Sequence, residues 1–227
     1  MGEVHNALFS IGPLEVTRPV VTMWVIIAVL ALVSFLATRR LKDVPGPLQN
    51  VAEFAVDKLR GLFGDDLHRE ELNRYLPVLG TYFLFILFSN YSGLLPGAGK
   101  LFDVPTASLS VTAGLGVSSL LICLYAGFRK KGAWGFVKSF LAPLPLFILM
   151  LPLNLIEQIV RPVSLAMRLY GNIFGEETAM EQMGHVLPVG LPVIMQVLSL
   201  LFGAIQAIVF TKLLAAYLGE ATEDHEE

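Results

Sequence analysis

Arg168 lies in the run PVSLAMRLYGNIFG (Pro162–Gly175), in which it is the sole charged residue. A guanidinium stays protonated even when poorly solvated. A fixed cation in hydrocarbon costs several kcal/mol, about 2.5–3.5 on insertion scales. Such a residue is tolerated where it faces a polar cavity or a partner, and it marks a functional site by default. Its chemistry is electrostatic. It can hold an anion, repel a cation, or drive a nearby carboxylic acid to give up its proton.

Polar residues recur around it with helical spacing. Asn154, Glu157, Arg161, Ser164, Arg168 and Asn172 fall at offsets 0, 3, 7, 10, 14 and 18, which is one helix face. Glu157 and Arg161 are an i,i+4 pair able to neutralise each other. Arg168 has no acid at 164, 165, 171 or 172, so its partner must come from another helix, another subunit or water. Glu177 lies nine residues on, roughly opposite in angle and about 13 Å further along the axis. Glu176, Glu181 and His185 are near it in sequence. An ordinary solvated helix end accounts for Glu176 and Glu181, whereas Glu177 suits a water-filled ion access path.

A second stripe comprises Gln196, Ser199, Gly203 and Gln206, at offsets 0, 3, 7 and 10. Gly203, Ala204 and Ala207 allow close helix approach. Two polar stripes face to face make a hydrated seam. Polar residues can also act only as glue between helices, but glue leaves an unpaired arginine unexplained. Lys212 is off this stripe. Snorkelling is its simplest state, and tuning an ion exit path is a second one.

The elements that must carry these residues are apolar. The chain is 55% hydrophobic and 15% charged, with mean hydropathy +0.67, against about 25% charged in a soluble domain. Uncharged runs cover Pro19–Thr38, Tyr75–Gly99, Val104–Phe128, Ser139–Ile156 and Val186–Thr211. Each can cross about 30 Å of hydrocarbon, and none alternates as a barrel strand would. The expected fold is an all-α membrane protein of one domain, residues 1–227, after a short external segment. Membrane helices are expected at 19–38, 75–96 and 105–128, with two more at 138–180 and 186–218. The last two are long enough to require strong tilt or protrusion. At 49–63 the pattern differs. Asn50, Glu53, Asp57 and Arg60 share one face, and Val51, Ala55, Leu59 and Leu62 another, which suits an amphipathic interfacial helix.

The charges are segregated. Arg39–Arg74 holds seven Lys/Arg and the loop Arg129–Lys138 four, while the external segments carry Arg18 and Lys100. The positive-inside rule then puts the rich loops and the C-terminus in the cytoplasm and the N-terminus outside. Cys123 reads as packing, with no disulfide framework or metal motif. No phosphate loop, HExxH, GxSxG or dinucleotide fingerprint is present, so no nucleotide site, cofactor or nucleic-acid partner is expected.

RPVSLAMRLYGNIFGEE (Arg161–Glu177) closely resembles the signature of subunit a of the F-type ATP synthase, roughly PxSLxxRLFGNxxxGE. IQAIVFTKLLAAYL (Ile205–Leu218) is similar to that family's last-helix motif, and FSNYSGLLPG (Phe88–Gly97) resembles its FxNLxGLxPG stretch. The three occur in the family's order, and the helix plan matches from end to end.

The resemblance implies a non-nucleotide-binding subunit of a two-sector ATPase, not catalytic alone, in a bacterial cytoplasmic membrane. It implies a ring of c subunits as main partner, with peripheral-stalk b subunits and the rest of the synthase. The two long helices would wrap the ring, and two offset half-channels would lead to it. Arg168 would be the essential arginine between them, driving exchange of H⁺ (or Na⁺) on ring carboxylates. Asn172 would stand near Arg168, with Glu177 and Gln206 lining the external path. Ser199 occupies a position where some members carry histidine. The chain departs from the family at PTASLSVT, where Ser108 and Ser110 replace acidic and amide residues. It departs again at Asn154, where many members have glutamate. An autonomous secondary transporter or channel is the alternative reading. It would be active in isolation and usually shows an internal repeat, and no repeat is visible here.

Overall fold

The computed structural model describes residues 7–11, 14–39, 46–95, 103–141, 147–186 and 191–223. The described residues form an antiparallel hairpin and six helices: β1 (Ala7–Ile11), β2 (Leu14–Thr17), α1 (Arg18–Thr38), α2 (Pro47–Phe63), α3 (Arg69–Ser92), α4 (Leu109–Leu141), α5 (Phe147–Val186) and α6 (Leu191–Thr222). A 3-10 turn, Pro105–Ala107, leads into α4. The helical class expected from the apolar runs holds. The hairpin is an addition to it, because β1 and β2 pair within the stretch read as a plain external segment.

Local chemistry sets the helix ends. Pro19 and Pro47 sit in the first turns of α1 and α2, where a missing N–H costs nothing. Glu70 and Glu71 occupy the first turn of α3, where negative charge meets the positive end of the helix dipole. The basic stretch 129–138, expected as a loop, is helical on both sides of a break at Gly132 (φ 70°, ψ 165°). That positive φ suits a residue without a Cβ.

Among the described residues four helical stretches are long and apolar enough to cross a membrane: Arg18–Thr38, Arg69–Ser92, Leu109–Gly132 and Ile194–Thr222. α5 has 40 residues and α6 has 32, about 60 and 48 Å at 1.5 Å per residue. Both exceed the hydrocarbon thickness.

α6 packs against α3, α4 and α5. Its inward residues Ala207, Phe210, Leu214, Ala215 and Leu218 are fully buried, at spacings of three and four along one stripe. Phe210 stacks on Tyr82 of α3 with ring centroids 6.0 Å apart. Near the start of α3, Phe63 of α2 is fully buried with Leu79 of α3 in the same core. Only the last turns of α2 join that core, through Leu59, Leu62 and Phe63. Val51 and Phe54 are exposed. The apolar stripe expected from Val51 to Leu62 is therefore split between core and outer surface.

The contact that positions α5 is the close approach of α4. A Cβ at Gly116 would lie 2.7 Å from the Pro162 carbonyl oxygen and 3.2 Å from the Ala166 Cβ. Overpacking of this kind costs about 1–3 kcal/mol. Gly116→Ala is expected to lower the thermal unfolding midpoint of the detergent-solubilised complex. Gly61→Ala on α2, where a Cβ meets nothing within 4 Å, should be neutral or stabilising because alanine is the better helix former.

Candidate functional site

α5 has two faces of opposite character around Arg168. Pro162, Leu165, Ala166, Leu169 and Ile173 are buried, at offsets that form one inward stripe. Burying that stripe turns Ser164, Met167, Arg168, Gly171 and Asn172 outward, and all five are exposed. Val163, Met167 and Phe174 of α5 and Val197, Leu201 and Ile205 of α6 are exposed large hydrophobics, so the exposed faces of both helices are rich in apolar side chains. Among the described residues Arg168 makes no hydrogen bond or ion pair. The outcome agrees with the i,i+4 argument and extends it, because no acid of another described helix neutralises this cation either. An unneutralised charge on helices with many exposed apolar side chains suits a surface that meets a partner.

One turn along, Asn172 Nδ2 donates to Gln206 Oε1 at 2.8 Å. This bond joins the two polar stripes read from the sequence. Gln206 is buried at 4% exposure, so its amide depends on that partner. Further toward the 3-10 turn, Ser199 of α6 lies near Glu176 of α5. Asp103 and Glu176 are the acidic groups near Glu177. Asp103 precedes the 3-10 turn and escaped the sequence reading. Its one signal is that it is the sole acid between Gly93 and Ser108. These groups bring three carboxylates, Asp103, Glu176 and Glu177, to the same end of the seam. The side chains of Asn154, Glu181 and His185 lie outside the described residues.

A third contact holds this region. Asn90, from the FSNYSG stretch, donates from Nδ2 to the Gly203 carbonyl at 3.0 Å. It accepts from Thr106 Oγ1 at 2.8 Å. One buried amide thus ties α3 to α6 and to the 3-10 turn. Of the two serines that depart from the family pattern, Ser108 accepts the Thr112 hydroxyl at its carbonyl, 3.2 Å away, and Ser110 is exposed.

At the other end the groups are ionic. Arg161 bonds Glu157 at 2.6 Å as the i,i+4 spacing predicts, and also Glu220 of α6 at 2.7 Å. Its guanidinium lies 4.9 Å from the centre of the Tyr217 ring. Lys212, partly exposed, lies 3.4 Å from Asp66 in the α2–α3 corner. Among the described residues no cluster of His, Cys, Asp or Glu could hold a metal ion.

What the arrangement can do follows from these positions. A fixed, unneutralised cation sits beside an amide pair, with carboxylates along the seam on one side of it. A proton-bearing group brought against this wall would be pulled toward ionisation, and the seam offers polar steps for the proton. The amide pair is testable as a unit. Asn172→Ala, Gln206→Ala and the double variant, compared by unfolding in detergent, are expected to show a coupling energy. It should fall near the average of about 0.6 kcal/mol for membrane-helix hydrogen bonds and below about 1.7. Additive losses would mean the two amides do not act together.

Comparison with known proteins follows the same residues. The family model for "ATP synthase A chain" matches residues 20–219. The chain is 38% identical over 218 residues to "ATP synthase subunit a" of Moorella thermoacetica, covering 96% of each chain. It is 37% identical to "ATP synthase subunit a" of Gloeobacter violaceus, over 96% of this chain and 89% of that one. It is also 37% identical to "ATP synthase subunit a 2" of a Bradyrhizobium strain, over 94% of this chain and 92% of that one. The motif around the unpaired arginine, the helical scaffold that turns it outward, and these full-length matches agree, and the chain belongs to the ATP synthase A chain family.

Proposed function

We propose that this chain is the ion-translocating stator subunit of the membrane sector of a rotary ATP synthase. Its partners are a ring of c subunits and the peripheral-stalk b subunits. The observation that carries the proposal is Arg168, exposed on an apolar wall and unpaired among the described residues. The anion such a site needs is supplied by a partner, a ring carboxylate that passes the α5–α6 wall.

The exchange follows from charge. A protonated ring carboxyl approaching Arg168 is favoured to ionise, because a nearby cation stabilises the carboxylate. Its proton leaves the O–H for water in one half-channel. The carboxylate is recharged from the other half-channel after rotation. The fixed charge also repels a proton or Na⁺ moving directly between the two paths. Arginine suits this role because it holds its charge when poorly solvated. The driving force is about 2.3 kcal/mol per charge per 100 mV.

In this reading Glu177, Glu176 and Asp103 form the mouth of the external half-channel. Ser199 and the Asn172–Gln206 pair lead from it toward Arg168. The three carboxylates take over what Ser108 and Ser110 no longer supply. The positive-inside rule supports this orientation, since Lys58, Arg60, Arg69 and Arg74 gather around the α2–α3 corner at the opposite end. The chain would lie in a bacterial cytoplasmic membrane with its C-terminus inside. Arg161, Glu157, Glu220 and the Lys212–Asp66 pair would stand at the cytoplasmic end, with Ser164 one turn from Arg168.

Arg168→Ala and Arg168→Lys are expected to abolish ATP-driven ion pumping in membrane vesicles while the complex still assembles. Normal pumping in either variant would overturn the assignment. Glu177→Gln should slow pumping without uncoupling it, and Glu177→Asp should recover most of the rate. Pumping by Glu177→Gln at the native rate would remove Glu177 from the path.

A further inference from the structure

We propose that Asn90 is a positioning residue for ion transfer. Its buried amide sets the geometry of the external path through two hydrogen bonds, one fixing Gln206 opposite Asn172 and the other fixing Asp103 beside Glu177. That role rests on the stator reading of the chain. The side chain of Asn90 bonds Gly203 and Thr106, so it acts on the path through them.

The amide has one orientation that satisfies both contacts. The Gly203 carbonyl can only accept, so Nδ2 of Asn90 must face it, and it donates at 3.0 Å. That leaves Oδ1 toward Thr106, whose hydroxyl donates at 2.8 Å. Asn90 is 8% exposed and Thr106 is fully buried. Groups so buried have little water to turn to, and breaking either bond leaves a polar atom unsatisfied.

Each partner stands three residues from a group of the path. Gly203 precedes Gln206 on α6 by three residues, about 4.5 Å along the axis. Holding the Gly203 carbonyl therefore sets the depth at which Gln206 meets Asn172, 2.8 Å away. The approach is close because Gly203 has no side chain. A Cβ there would lie 3.1 Å from the Asn90 Cβ. Sliding α6 along α3 breaks this bond.

On the other side, Thr106 follows Asp103 by three residues. The 3-10 turn that carries Thr106 packs against α5 as well as α3, with Asp103 near Glu177. Gly93, three residues after Asn90, completes the seat. A Cβ there would lie 2.9 Å from Val104 Cγ2, so the chain entering the turn lies directly on the end of α3. One side chain thus links the carboxylate end of the path to its amide step.

Thr106→Val and Asn90→Leu test this role. Both nearly preserve volume. The first removes one of the two bonds and the second removes both. The whole complex is assayed in vesicles at a fixed membrane potential. The rate of ATP synthesis is followed against the external concentration of the ion that drives it in the native complex. A displaced path slows entry, and entry limits turnover only when external ion is scarce. Half-maximal rate should therefore need about threefold more external ion in Thr106→Val and about eightfold more in Asn90→Leu. Those factors follow from losing one and two membrane hydrogen bonds of average strength. The maximal rate should stay near native, and Thr106→Ser, which keeps the hydroxyl, should match the native curve. A lower maximal rate at unchanged half-saturation would show a purely structural role and overturn the proposal. A native curve in Thr106→Val would overturn it too, and that milder variant decides the matter where Asn90→Leu does not assemble. Arg168→Ala is run alongside. Synthesis that survives in Arg168→Ala would overturn the stator reading. Its loss there, with native half-saturation in the other variants, would overturn the positioning role alone.

Discussion

A guanidinium on an apolar membrane surface must find an anion or water, and Arg168 finds no partner among the described residues of its own chain. Its outward orientation is enforced from behind. Leu165, Leu169 and Ile173 are buried, and rotating α5 to hide Arg168 would expose all three. Burying such side chains is worth about 1.5–3 kcal/mol each, enough to hold the cation outward against its desolvation cost. Gly116 lets α4 approach the α5 backbone at Pro162, so the inner stripe packs tightly and α5 cannot easily roll. The charge is thus kept unsatisfied by packing on the far side of its own helix.

The two ends of the bundle are held by different chemistry. Near the α2–α3 corner the ties are ionic. Glu71, with a side chain 9% exposed, meets Lys130 at 3.1 Å and accepts the Thr222 hydroxyl at 2.8 Å. Arg161 bridges to Glu220, and Lys212 to Asp66. Removing one partner of a buried pair leaves an uncompensated charge and costs about 3–5 kcal/mol. Glu71 is the member of this set to which that applies. Toward the 3-10 turn the ties are neutral amides and hydroxyls, namely Asn90 with Gly203 and Thr106, and Asn172 with Gln206. Such bonds fix geometry at low cost in charge. Among the described residues the carboxylates Asp103, Glu176 and Glu177 of this end pair with no cation.

Much of this was legible from spacing. The run Asn154 to Asn172 repeats with helical period, and the structure gives one continuous helix there. The Glu157–Arg161 pair followed from i,i+4 geometry, and the facing of the two polar stripes followed from their periods. Asp103, the nearness of Ser199 to Glu176 and the Arg161–Glu220 bridge were not legible. Each joins residues distant in sequence, and periodicity speaks only of neighbours on one helix. The hairpin at Ala7–Thr17 was missed because its strands are only five and four residues long. The Lys212–Asp66 pair was not legible because the two residues lie 146 positions apart in the chain.

The sequence by itself determined the class of the protein, the helical faces and the location of the expensive charge. Those depend on composition and on a period of 3.6 residues, which are local quantities. It also carried the family motif around Arg168. Tertiary structure decided which charges are neutralised and which are not. Arg161 and Arg168 are seven residues apart on one helix and carry the same charge. Arg161 reaches two carboxylates and an aromatic ring, whereas Arg168 is exposed and unpaired among the described residues. The difference lies in how α6 crosses α5. The crossing brings Glu220 and Tyr217 against one arginine and no described acid against the other, and helix crossing is set by packing across the bundle.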